Sequence, residues 1–355
     1  MNAYVMFETL NDRGLKTSQS DLVKNYLFSQ TGDRLKEAQQ KWAKMMGALE
    51  TLNEQDIVIT YLRHFLIANY GHTPERDVLV RVKSNVTGKS NAIDFLTNLA
   101  NRATDYVAML TPESAKWNIY EKSVRDYIRT IEKLEMVPMR PLMLAVIYKF
   151  PKGQLEKALQ LFVSWAVRFL IAGGGRSGGV AEAFAKAAVE VTAGRINNAD
   201  KMIKQLDKVI PNDAVFQAAF ATARVKTNGL ARYYLRALEL KAQKKPKPSC
   251  MRAEDFVYNL EHILPESPGN GWSNFEKADI AAYSKRLGNM VLLEATDNSK
   301  IGNLPFSKKI PYFKGSNFVL TQDVGKCTEW TLESISERQK GLAKKAPKIW
   351  SLHVN

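Results

Sequence analysis

At 355 residues, 45% hydrophobic and 25% charged, the chain is long enough for two or three domains with buried cores, which rules out disorder on a large scale. Lys and Arg number 51 against 36 Asp and Glu, and the formal charge of +15 makes a field that attracts polyanions, with nucleic acid the natural partner. Cys250 and Cys327 are the two cysteines and lack CxxC spacing, which excludes a zinc ribbon and a disulfide framework and predicts a reduced, cytoplasmic setting.

The first residues, MNAYVMFETLNDRG, lack a basic start and an uninterrupted apolar core, so no secretory leader is predicted. After this apolar run, Asn11 to Gly14 read as a turn. A helix follows, with Ser18 or Ser20 as its cap and Leu22, Val23, Tyr26 and Leu27 on one face. From about residue 32 to residue 243, apolar positions recur at threes and fours between Gly, Pro and Asn breaks. The pattern predicts an irregular helical bundle over 31–243, and without a fixed period it is not a solenoid. Within it, His64 and His72 flank an apolar helix end without matching carboxylates and read as structural.

LQLFVSWAVRFLIAGGG is interrupted by Ser164 and Arg168. No run reaches the ~18 apolar residues of a membrane span, so this stretch reads as a buried helix and no membrane partner is expected. GGGRSGG at 173–179 follows a helix and lacks a Gly-Lys-Ser/Thr ending, so it reads as a helix–helix connection, and no nucleotide site is evident. KAQKKPKPS at 241–249 suits an exposed linker and predicts a domain boundary. Beyond it, FVYNLEHIL and MVLLEA read as two short strands around a loop, closed by a helix near 329–350.

EHILP at 261–265 places a His directly after a carboxylate, and Asn289 and Asn298 follow nine positions apart. A general base with oxygen ligands for one divalent ion is what phosphodiester hydrolysis needs. His262, as a neutral imidazole, takes a proton from water near neutral pH. Adjacent side chains on a flat strand point to opposite faces, so Glu261 and His262 serve one site only if the strand ends or twists there; Pro265 makes an ending plausible. Lys285, Arg286, Lys300, Lys308, Lys309 and Lys314 are interleaved with aromatic residues, as on a surface that contacts phosphates.

In that order, EHILP, RLGNMVLL at 286–293, DNSKIGN at 297–303, FSKK at 306–309 and a closing helix with Trp330, Ile335, Arg338 and Trp350 resemble an HNH (His-Me finger) nuclease domain. The version they resemble stands at the C-terminus of GmrSD-type modification-dependent restriction endonucleases. FETLNDRGLKTSQSDLVKNYLF at 7–28 resembles the close of the ParB-like N-terminal domain of the same enzymes, without their DGQQR-type motif.

The resemblance implies a mainly α protein: residues 1–30 as the end of a ParB-like domain, 31–243 helical, and 250–355 a small α+β nuclease domain of ββα-metal type. It implies a metal-dependent DNA endonuclease, the effector of a GmrSD-like restriction or phage-defence system. His262 is then the general base, and Asn289 holds the loop against it. Glu261 and Asn298 are ligands of one Mg²⁺ or Mn²⁺, with Asn303 the rival of Asn298 and Asp297 a weaker one. Lys285 and Arg286 face DNA, and Lys308 and Lys309 are assigned to phosphate. The chain is expected to be a shortened or split member or a fragment, whose missing half reads nucleotide or base-modified phage DNA. A DNA-binding or scaffold protein with a dormant HNH domain, pairing with a separate sensor half, is the competing expectation, and RNA as substrate stays open.

Overall fold

The computed structural model of the chain describes residues 18–173, 177–251 and 258–354. It is mainly helical, with a small two-stranded sheet in the C-terminal region. Among the described residues, no helix is long and apolar enough to cross a membrane. The strand and turn expected before residue 18, and residues 174–176 of the glycine-rich connection, lie outside the described residues. The described residues fall into two compact units, one within Met1–Ile128, Met136–Ala158 and Arg176–Val209, the other within Arg129–Glu135, Leu159–Gly175 and Ile210–Asn355.

In the first unit, α1 (Gln19–Gln30) is started by Ser18, whose hydroxyl accepts from the Asp21 amide at 3.2 Å, and it buries Val23, Tyr26 and Leu27. The helices α2 (Leu35–Leu49), α3 (Ile57–Tyr70), α4 (Val78–Asn85) and α5 (Lys89–Leu110) follow. After them come α6 (Lys122–Leu134), α7 (Arg140–Lys149), α8 (Lys152–Ala172), α9 (Ser177–Thr192) and α10 (Ala199–Leu206), of which α6 and α8 continue into the second unit from Arg129 and Leu159. The helix α2 lies along α5, and α9 packs on α3 and α7. Apolar faces at helical spacing meet there, and polar groups such as Tyr61 and His64 are paired between them. Tyr61 donates to the Leu99 carbonyl at 2.6 Å, and His64 Nδ1 meets the Tyr106 hydroxyl at 2.9 Å.

The second unit begins upstream of the segment 241–249. It contains α11 (Asp213–Phe220) and α12 (Asn228–Ala242), then β1 (Asn259–His262), α13 (Lys277–Tyr283), β2 (Met290–Leu293) and α14 (Ala295–Ile301). The closing helices are α15 (Phe306–Gly315), α16 (Val319–Gly325) and α17 (Leu332–Ile349). Thr331 and Ser334 form a capping box that starts α17. The strands pair antiparallel, with Glu261 opposite Val291 and His262 opposite Met290.

One core of this unit gathers Ile263, Leu264, Trp272, Val291, Leu293, Phe306, Phe313, Trp330 and Ile335. A second, aromatic one joins Phe216, Phe220, Tyr233 and Tyr234 around Trp350. Arg168, the residue that interrupts the apolar run, is fully buried. It donates to the carbonyls of Trp350 and Pro211, both at 2.8 Å, and pairs with Asp213 at 2.5 Å.

Candidate active site

His262 closes β1, and the chain bends away at Ile263 and Leu264 directly behind it. Its Nε2 is shielded from solvent and makes no hydrogen bond. Glu266 Oε1 lies 3.5 Å away, and the other oxygen of that half-exposed carboxylate is 3.6 Å from Lys285 Nζ. Burial lowers the imidazole pKa below its usual value; Glu266 opposes that shift, while Lys309 and Lys285 reinforce it. The ring is therefore neutral at pH 7 and able to accept a proton.

Asn289 is wholly buried and uses all its side-chain capacity. Its Oδ1 accepts from the Leu264 amide at 2.8 Å and from Trp330 Nε1 at 3.1 Å, and its Nδ2 donates to the carbonyls of Leu264 at 2.8 Å and Ser284 at 3.1 Å. The Asn289 carbonyl in turn accepts from the Ile263 amide at 2.9 Å. Three of these five bonds tie the loop before β2 to the two residues that follow His262.

The loop has its own support in α17. Arg338 Nη1 donates to the carbonyls of Leu287, Gly288 and Met290 at 2.8 to 3.1 Å, and the Gly288 amide donates to Gln339 Oε1 at 3.1 Å. Burial lowers the Arg338 pKa to about 10, so the guanidinium stays charged at neutral pH. Gly288 is obligatory for close approach, because a Cβ there would collide with the Ile335 carbonyl oxygen and lie 2.9 Å from Gln339 Cβ.

Glu261 and Lys309 depart from expectation. Lys309 was expected on phosphate, yet it is 0% exposed and its Nζ donates to Glu261 Oε1 at 2.6 Å and to the His262 carbonyl at 3.0 Å. Phe306, Lys309 and Phe313 recur at helical spacing on the buried face of α15, whereas Lys308, one position away, is exposed. A fully buried ammonium cannot reach DNA, and that assignment is corrected.

Glu261, expected as a metal ligand, is 6% exposed and lies opposite core residue Val291, while His262 belongs to the other face of the strand. Burial raises the Glu261 pKa and lowers that of Lys309, each shift opposed by the partner's charge. With its carboxylate committed to Lys309, Glu261 does not present a free ligand.

Asn298 stands on α14, which packs against β1. Its Oδ1 is buried and has no hydrogen-bond partner. An orphaned hard oxygen fits Mg²⁺ or Mn²⁺. Asn303 is exposed, and Asp297 is engaged at 3.3 Å by Lys300. Among the described residues there is no group of three or more His, Cys, Asp or Glu side chains that could hold an ion.

An open groove of about 560 Å³ runs beside Glu266 and is lined by Arg224, Lys277, Ser284 and Lys285. Arg286 stacks its guanidinium 4.0 Å from the centre of the Tyr283 ring. Glu266, Arg224, Lys277 and Gln339 were not singled out from the sequence. Gln339 had a signal: it continues the buried stripe of Ile335, Leu342 and Ala346 on α17. The other three carry none, because exposed charges look alike until the chain folds.

No curated protein matches the chain. A hairpin ending in a His, a loop Asn bonded behind it and a supporting C-terminal helix lie within or beside one matched stretch: over residues 210–345 the chain is similar to the C-terminal domain of the GmrSD restriction endonucleases.

Proposed function

We propose that this chain is a metal-dependent DNA endonuclease and the effector part of a GmrSD-like restriction system. In this reading the catalytic portion is 250–355, preceded by a helical region at 31–243 and, in residues 1–30, by the end of a ParB-like domain. The observation that carries the reading is the neutral, partly buried His262 at the end of a hairpin whose next residues are held by Asn289. His262 takes the proton of a water that attacks the phosphodiester. Asn289 keeps the backbone behind His262 in place, so the imidazole need not reorganise as charge develops.

Asn298 would hold Mg²⁺ or Mn²⁺ together with water and phosphate oxygens, and the ion supplies stabilisation of the charge that builds on the phosphate. Arg224, Lys277 and Lys285 along the groove, with Arg286 and the exposed Lys308, fit the DNA backbone. Base-modified phage DNA is the natural target of such a system, with recognition of the modification belonging to a sensor half.

The test is cleavage of plain and modified duplex DNA, and of RNA, by the purified chain with Mg²⁺ or Mn²⁺. His262→Ala should lower the rate by ~10²–10⁴-fold while leaving the circular dichroism spectrum unchanged. Undiminished cleavage would remove His262 from the reaction, and DNA binding without cleavage by the parent chain would favour a dormant nuclease domain.

A further inference from the structure

The strongest unassigned feature is the buried contact between Lys309 on α15 and Glu261 on β1. We infer that Lys309 is the permanent counter-ion of Glu261 and a positioning residue for His262, so that the carboxylate before the His is not a metal ligand in this protein. The inference rests on the nuclease reading above for the role of His262, and on geometry for the pair itself.

Three observations carry it. Lys309 and Glu261 are 0% and 6% exposed, and their 2.6 Å contact is a charge-assisted hydrogen bond. The same ammonium donates to the His262 carbonyl at 3.0 Å, so one cation grips the side chain of one residue and the backbone of the next. Lys309 also lies on the core face of its helix between Phe306 and Phe313, which leaves its stem no route to the surface.

A divalent ion at Glu261 would have to displace a buried ammonium, leaving it the His262 carbonyl as its remaining acceptor. Leaving either charge alone in the interior is strongly unfavourable, whereas a neutral pair of similar shape is tolerated. The pair thus replaces, on the core side of the strand, the charge neutralisation that a metal would give. It also sets where β1 ends, and with it the position of the imidazole.

The experiment compares Glu261→Gln, Lys309→Met, the double variant, Asn298→Ala and Lys308→Ala in the full chain. Each single change at the pair should lower the melting temperature by roughly 5–15 °C, and the double variant should recover most of it. Calorimetric titration with Mn²⁺, in the presence of a duplex carrying a cleavage-resistant phosphorothioate, should give Glu261→Gln within about twofold of the parent. Asn298→Ala should bind Mn²⁺ at least ~10-fold more weakly. In turnover, Lys309→Met should lower kcat by up to ~10²-fold with KM for DNA unchanged, the pattern of a displaced base, whereas Lys308→Ala should raise KM.

The inference is overturned if Glu261→Gln loses Mn²⁺ binding with an unchanged melting temperature, or if Lys309→Met raises KM at constant kcat. Strictly additive losses in the double variant would also overturn it, and that stability cycle decides the matter even if the chain proves to cut nothing. Where a single variant does not fold, the double variant carries the metal titration.

Discussion

His262 is kept neutral by what surrounds it, and this fixes how the chemistry should respond to pH. Burial holds its pKa below the usual 6.5, with Glu266 pulling the other way. A base acts only when deprotonated, so the acid limb of the cleavage rate should have its midpoint below pH 6.5. Glu266→Gln removes the one nearby carboxylate that favours the imidazolium and should move that midpoint further down. Lys285→Ala removes a nearby positive charge and should move it up. A rate profile measured from pH 4 to pH 9 checks both signs, and a midpoint above 6.5 in the parent would mean that the imidazole is not the titrating base. Asn289 has no such freedom: with four side-chain bonds satisfied, it cannot rotate to meet substrate, and its contribution is confined to geometry.

The loop 287–289 is an element with almost no fold of its own, and it takes its shape from α17. Gly288→Ala would push a methyl group against the backbone of that helix, where nothing flexible can yield. Overpacking of this kind costs about 1–3 kcal/mol, and chemical denaturation should show that loss together with slower cleavage at unchanged DNA affinity. An unaltered denaturation midpoint would show that the loop and helix separate easily.

At this scale much was legible in the sequence. The helical faces, the two strands around His262 and the buried reading of the run containing Arg168 all follow from periodicity, which reports local burial directly. The partners were not legible. Lys309 and Gln339 occupy apolar stripes, so their burial could be read, but which carboxylate or backbone group they meet is set by tertiary packing. The association of Phe216, Phe220, Tyr233 and Tyr234 with Trp350 was not legible either, because it joins positions far apart in the chain.

For the molecule as a whole, the net charge of +15 favours polyanions, and a buried His sets a limit on acid tolerance. His64 is 3% exposed and its pKa is driven by burial from 6.5 to about 3. The unfolded chain therefore takes up a proton near pH 6.5 that the folded chain refuses until about pH 3. The stabilisation is complete above pH 6.5 and is lost as pH falls toward the folded value. Between pH 7 and pH 5 this one side chain should cost the first unit about 2 kcal/mol. Hydrogen exchange at the amides of α3 would register that loss, and His64→Gln, which keeps a partner for the Tyr106 hydroxyl, should abolish it. An unchanged exchange slope in the variant would assign the acid sensitivity elsewhere.

The order of the chain gives the clamp from α17 one more consequence. During synthesis His262 leaves the ribosome before Arg338 and Gln339 do, and until those two arrive the loop that carries Asn289 lacks the support of α17. A nascent or prematurely terminated chain would hold its base in an unformed site. On the proposed function, a copy that ends before Arg338 would lack the support of the nuclease site and should not cut DNA.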